Sequence, residues 1–346
     1  MSGRMAAGLC LLVLYSRCYP QAGGFRTFIN IEQATKLADV VVVGERTGFQ
    51  CVGPDTLTST IAIQEVFKGL VPNKTIQMDE ALDYHECSRR PNNTQSGPPR
   101  LYVFFLKLTA DGNYESSSGG YALFGGAVTG MPQPEQPDPY LKVIERVAEP
   151  MFSREPTARE RLNSAGELAF DKAPYVNVLY HAALDGPMAK ADPPFRMHLL
   201  AVLIERDDYS VAQQLEREIF AYGPGEQIDG RLIMINSLGH KDGAMALPIL
   251  SRALHLSDPQ LRIEAVKSLQ GTKPDQREQV NSLLLPQLDD SDREVQTAVM
   301  QTLGVVNRFY GGTGWRPRST DAEATWNACM EYWRQFAAAT HPVNRN

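Results

Sequence analysis

From Phe195 to Leu303, apolar residues return at intervals of four and eight with polar residues between them. The triplets are Phe195-Leu199-Leu203, Gly230-Met234-Leu238, Leu261-Ala265-Leu269 and Val295-Val299-Leu303. Positions i, i+4 and i+8 share one face of an α-helix, so each triplet predicts an amphipathic helix. The closing leucines recur every 31 to 35 residues. A period of that size, with a second apolar helix between successive triplets, predicts a stacked α-solenoid in which neighbouring hairpins shelter one another's apolar faces. The most complete unit starts at Ser257-Asp258-Pro259. Asp258 is placed to cap the helix, and Pro259 at its first position gives up a donor that has no partner there anyway. Leu261, Ala265, Val266 and Leu269 then share a face, and Gly271 and Pro274 stop the helix. A second helix from about Gln276 carries Val280, Leu283, Leu284 and Leu288. Val211–Phe220 and Ala246–Leu254 are its counterparts in the earlier units.

Asp258-Pro259-Gln260-Leu261-Arg262-Ile263-Glu264-Ala265-Val266-Lys267-Ser268-Leu269 resembles the first helix of a HEAT repeat. The resemblance extends over Asp192–Phe220, Ile228–Leu254, Asp258–Leu288 and Asp292–Leu303, with Gly230 standing where an apolar residue is expected. It implies a solenoid that holds other molecules, and an Asp–Arg pairing between neighbouring repeats that would involve Asp258 and Arg262.

From Ala38 the pattern changes to period two. Val40–Val43, Thr58–Phe67, Lys74–Met78, Leu101–Leu106 and Tyr121–Phe124 read as five short strands. Lys68-Gly69, Val71-Pro72-Asn73, Asp111-Gly112 and Gly119-Gly120 read as the turns between them. Five short strands suit a small closed barrel, with a two-sheet sandwich as the rival. Ala38–Gly44, Gln64–Gly69, Cys87 and Leu101–Leu106, in that order, resemble the OB-fold of tissue-inhibitor-of-metalloproteinase-like domains in exported proteins. In such inhibitors a Cys-X-Cys start chelates the protease zinc, and the one counterpart here is Cys18-Tyr19-Pro20, which lacks the second cysteine. The resemblance therefore implies the fold and leaves inhibition as an alternative function.

Arg4, the apolar run Met5–Tyr15 and the following Ser16–Ala22 suit an export signal and are too short to span a bilayer. The expected organisation is a signal peptide over residues 1–22 and an OB-like barrel over 23–130. A Pro-rich linker and helix over 131–150, a HEAT-like solenoid over 151–310 and a capping helix over 311–346 follow. The fold class is thus multidomain α+β. Tyr140–Glu149 and Ala158–Phe170 read as helices covering the first repeat, and Trp326, Met330, Trp333 and Phe336 read as the stripe of the cap. Cys51 and Cys87 fall in the barrel domain, where an oxidising compartment allows them to pair, and Cys18 competes for Cys87. Cys329, among apolar neighbours, reads as a buried thiol.

The net charge of −6 argues against a nucleic-acid partner, which needs a basic stripe. There is no nucleophile elbow, phosphate loop, His-Glu-X-X-His or Cys-X-X-Cys pair in the sequence. His85 and Cys87 are zinc-type ligands without the other two that a closed site needs. No catalytic residue, metal ligand or cofactor is therefore assigned. The expected function is an exported (periplasmic or extracellular), non-enzymatic scaffold that binds a protein partner. The contact row is expected on the second helices, at Gln214, Arg217, Ser251, Arg252 and Gln287. The alternatives are metalloprotease inhibition through the barrel and an enzyme of the solenoid-lyase kind.

Overall fold

The computed structural model describes residues 31–52, 56–81, 101–110, 112–123, 138–171, 173–239, 241, 243–271, 273–308 and 321–340. The expected signal peptide, Cys18, His85, Cys87 and the Pro-rich run 131–137 lie outside them. Two compact units divide the chain, Met1–Phe195 and Arg196–Asn346. The first holds a five-stranded closed barrel and several helices, and the second is helical.

The described part of the first unit begins with a helix that the strand pattern concealed, α1 (Ile31–Leu37). Five strands follow: β1 (Val40–Cys51), β2 (Thr56–Lys68), β3 (Thr75–Ala81), β4 (Leu101–Leu108) and β5 (Tyr114–Leu123). They close in the order β1-β2-β3-β5-β4, with β4 pairing back onto β1. All pairs are antiparallel except β3 with β5. This order is compatible with an OB-like barrel and excludes the two-sheet alternative. Val40, Val42, Ile61, Ile76, Met78, Phe104 and Leu106 fill the interior. Val41, Val43, Val103 and Phe105, which alternate with them on β1 and β4, are buried as well, so these two strands are dry on both faces.

One expected turn is a strand instead. Gly119 and Gly120 lie inside β5, where Gly120 pairs opposite Phe104 and the register shifts between Phe104 and Leu106. Composition marks a Ser/Gly run as a turn, but hydrogen bonding to β4 decides the backbone here, as tertiary context often does in sheets.

Next come α2 (Pro139–Phe152), α3 (Ala158–Ala169), α4 (Pro174–Asp185) and α5 (Pro187–Ala191). Asp138 caps α2 by accepting the Tyr140 N–H at 2.7 Å, and Thr157 with Glu160 forms a capping box on α3. Val143, Ile144, Val147, Ala148 and Met151 of α2 are all buried. The helix touches β2, β5 and α1 as well as α3 and α4. It thus packs on the barrel, because that is where its apolar stripe finds cover. Tyr140 donates to the buried Asp171 at 2.5 Å, and Ser164 donates to the Val147 carbonyl at 2.5 Å, which ties α2 to α3 and the α3–α4 connection.

α6 (Pro193–Glu205) leads into the second unit, followed by α7 (Ala212–Phe220), α8 (Ile228–Ser237), α9 (Gly243–Ala253) and α10 (Pro259–Ser268). The remaining helices are α11 (Arg277–Leu284), α12 (Arg293–Val306) and α13 (Glu323–Thr340). Every apolar member of the four triplets is buried. Asp258 and Asp292 cap α10 and α12, accepting from Gln260 at 2.9 Å and from Glu294 and Val295 at 2.8 and 3.1 Å. α10 is in contact with α8 on one side and α12 on the other, and also with α9 of the preceding hairpin. Ser268 donates to the Ile235 carbonyl, and Gln270 to Thr302 at 3.0 Å, so each helix is pinned to the next of its kind.

Gly230 departs from the apolar rule for a steric reason. A Cβ at that position would come within 2.4 Å of the Met197 sulfur and 3.3 Å of its Cβ, so α8 approaches α6 too closely for a side chain. The stripe of α13 is used internally. Trp326, Cys329, Met330 and Trp333 are buried, Arg293 lies 4.7 Å from the centroid of the Trp326 ring, and α13 touches α12 and the 3-10 turn Leu285–Asp289. Cys329 is a buried thiol whose pKa is raised chiefly by burial.

Candidate functional site

The side chains singled out for contact sit on α7, α9 and the turn after α11. Arg252 of α9 lies with its guanidinium 4.0 Å from the centroid of the Phe220 ring and pairs with Glu216, both on α7. Stacking on the ring and pairing with the carboxylate hold the guanidinium in one orientation while its outer face stays exposed. Arg217, one residue along α7, is exposed as well, whereas Gln214 and Ser251 are half-buried. Gln287 is a correction. It is only 9% exposed, because the chain tightens into a 3-10 turn at Leu285–Asp289 and draws the side chain inward, so it does not belong to an outward row. The structure brings Glu216, Phe220 and Arg252 together and leaves Gln287 out.

Several ionic contacts, most of them part-buried, link these helices. Arg196 forms a forked pair with Glu218 at 2.9 and 3.2 Å, and Tyr222 donates to the same carboxylate at 3.0 Å. The Glu218 carboxylate holds the Arg196 pKa up, and burial, reinforced by Glu218, holds the Tyr222 hydroxyl up. Arg231, buried, donates to the carbonyls of Ile219 and Gly223 at 2.9 and 3.2 Å and fastens the α7–α8 connection. Burial lowers its pKa. Lys241 donates to the Glu205 carbonyl and to Asp207 at 2.8 and 2.9 Å. Arg262 takes Asp290 as its partner at 2.8 and 2.9 Å, while Asp258 spends its carboxylate on the cap of α10. The neighbour pairing implied for Asp258 and Arg262 is therefore made by Asp290 instead.

Two titratable side chains stand apart from these networks. Glu167 of α3 is half-buried, with its Oε2 shielded from solvent and unbonded, and desolvation pushes its pKa up to about 7. His198 of α6 has its Nε2 shielded from solvent and unbonded, and burial pushes its pKa down to about 4. On α2, burial raises the pKa values of Glu145 and Glu149, although Tyr175 donates to Glu145 at 3.1 Å and Arg146 pairs with Glu149.

Among the described residues, no group of three or more His, Cys, Asp or Glu side chains is arranged to hold a metal ion. Nor is any described helix long and apolar enough to cross a membrane. Cys51 ends β1 with its backbone opposite Leu57, and its candidate partners Cys87 and Cys18 are outside the described residues. The Glu216–Phe220–Arg252 cluster was not singled out from the sequence. The signal was present, since Glu216 and Arg252 are 36 residues apart, close to one repeat period, and carry opposite charge. No family model, curated protein or solved structure matches the chain.

Proposed function

We propose that this chain is an exported, non-enzymatic binding protein whose helical half is a HEAT-like solenoid. Its second helices α7, α9 and α11 form the face that holds a protein partner, and the barrel is a second interaction module of the inhibitor-like OB type. The observation that carries this reading is the link between successive second helices, Arg252 stacked on Phe220 and paired with Glu216, together with α10 seated between α8 and α12. A side chain that reaches one repeat back is what side-by-side hairpins require, because each unit's apolar face needs its neighbour for cover. A fixed guanidinium with an open outer face, as at Arg252, suits recognition of a carboxylate on a folded partner, since little side-chain freedom remains to be lost on binding.

The test is affinity capture from the exported fraction with the intact chain and with Arg217→Glu/Arg252→Glu. The variant is expected to lose at least one partner that the intact chain retains. Arg217→Glu alone controls for the loss of the Glu216 contact, and a single cooperative melting transition controls for folding. An unchanged partner list would overturn the assignment of this face.

A further inference from the structure

The turn between β2 and β3 carries a motif that the binding face of the helical unit does not explain. Asn73-Lys74-Thr75 has the Asn-X-Thr spacing of an N-glycan acceptor, with Lys in the middle and Ile76 after it, so no proline interrupts it. Asn73 lies in the connection that leaves β2 at Lys68, and Thr75 is the first residue of β3. All three residues of the motif are exposed.

The backbone of the turn is held on both sides of Asn73. Gly69 turns the chain with a φ of +81°, so close to the barrel that a Cβ there would lie 2.5 Å from the Asp39 carbonyl oxygen. Val71 packs against the barrel core. The Ile63 N–H donates to the Lys74 carbonyl at 2.8 Å, and Thr75 pairs opposite Ala62. Asn73 thus stands between two anchored points, and none of these anchors uses its side chain.

The outer face of the β2–β3 pair shows the same economy at Thr75. Ile76 and Met78 belong to the barrel core, so Thr75, Gln77 and Asp79 stand on the opposite face of β3. There Thr58 donates to Asp79 at 2.5 Å, and Thr60 and Gln77 bond to each other at 3.2 and 3.1 Å. The next row breaks the pattern, because Thr75 faces Ala62, which has no polar side chain. Among the described residues neither the Asn73 amide nor the Thr75 hydroxyl makes a hydrogen bond. The fold spends neither group, and an acceptor site needs both, the amide as nucleophile and the hydroxyl two residues on for recognition.

We propose that Asn73 is an N-glycosylation site, an inference that rests on the reading of the chain as exported. Asn73 Nδ2 forms a bond to C1 of the first sugar of a polyprenyl-pyrophosphate-linked oligosaccharide. The C1–O bond to the pyrophosphate breaks and its electron pair leaves with that group, while one amide proton passes to a base of the transferase. A bulky, solubilising group attached at this exposed turn leaves every anchor of the turn in place.

The experiment is peptide mass spectrometry on the full chain recovered from the exported fraction of the cells that make it. Enzymatic release of the glycan in heavy-oxygen water is expected to leave a labelled Asp at position 73. Thr75→Val, which keeps a β-branched residue at the start of β3, is expected to lose the label completely, and Thr75→Ser to retain it. An exported chain with unmodified Asn73 would overturn the site and leave export standing. A chain missing from the exported fraction, with Asn73 unmodified, would overturn export and the site together. A label that persists in Thr75→Val would assign the Asp to spontaneous deamidation and would also overturn the proposal.

Discussion

At the scale of single residues, the account makes its sharpest statements about Glu167 and His198, two side chains with unbonded polar atoms inside the protein. Glu167 titrates near 7 in the folded chain against 4.5 for an ordinary glutamate, so the folded state holds the proton more tightly. Stability in its unit is therefore full below about pH 4.5 and is lost as pH rises through 7. His198 titrates near 4 against 6.5, so the unfolded state holds the proton more tightly. Stability in its unit is full above about pH 6.5 and is lost as pH falls towards 4. Glu167→Gln is expected to abolish the first slope and to raise the melting temperature of the intact chain at pH 8. The gain there is at most about 3 kcal/mol. His198→Gln is expected to flatten the second slope. Melting curves at pH 5 and pH 8 check both, and slopes left unchanged by the substitutions would contradict them. Neither residue's environment was legible beforehand. The spacing of apolar positions singles out neither Glu167 nor His198. Their burial depends on what packs around them, which periodicity does not encode.

At the scale of elements, the helices of the second unit bury the apolar residues that their spacing puts on one face. Leu269 closes the third triplet and is completely buried. Leu269→Ala is expected to cost about 2–5 kcal/mol in chemical denaturation, through lost transfer energy and the cavity left behind. A cost well under 1 kcal/mol would mean that the closing leucines do not form the core. The same lines of sequence that gave α10 its cap at Asp258 and its first residue at Pro259 were enough to place it, because caps and stripes are local signals. Strands β1 to β4 were legible for the same reason. The failures are at positions where distant partners decide. The Ser/Gly run of β5 becomes a strand through β4, Gln287 turns inward with its 3-10 turn, and α1 hides just ahead of the valine run of β1. Gly230 looked like a defect in the pattern and proves to be the point where α8 meets Met197.

At the scale of the whole molecule, the binding role proposed for the helical unit rests on its α7 and α9 side chains. The contact row proposed on α7 and α9 predicts that charge reversal at Arg217 and Arg252 removes a protein partner while costing about 1–2 kcal/mol of stability, since Arg252 loses both its pairing with Glu216 and its stacking on Phe220. A variant that keeps its full partner list would leave that face without a role. The candidate row was legible only in part. Arg217 and Arg252 are exposed as the helix phase predicts, but Glu216 and Phe220, which orient Arg252, become visible only when residues a repeat apart are placed side by side.

That lateral arrangement underlies everything proposed for the helical unit, and spin-label distances test it most directly. Labels attached through Asn236→Cys, Lys267→Cys and Gln301→Cys, in a chain with its native cysteines replaced, mark equivalent sites on α8, α10 and α12. Parallel stacking predicts a step of roughly 10 Å between neighbouring helix axes. The Asn236–Gln301 separation should then be about twice that of Asn236–Lys267 and of Lys267–Gln301. Comparable distances for all three pairs would mean that the hairpins cross instead of stacking, and would contradict the account.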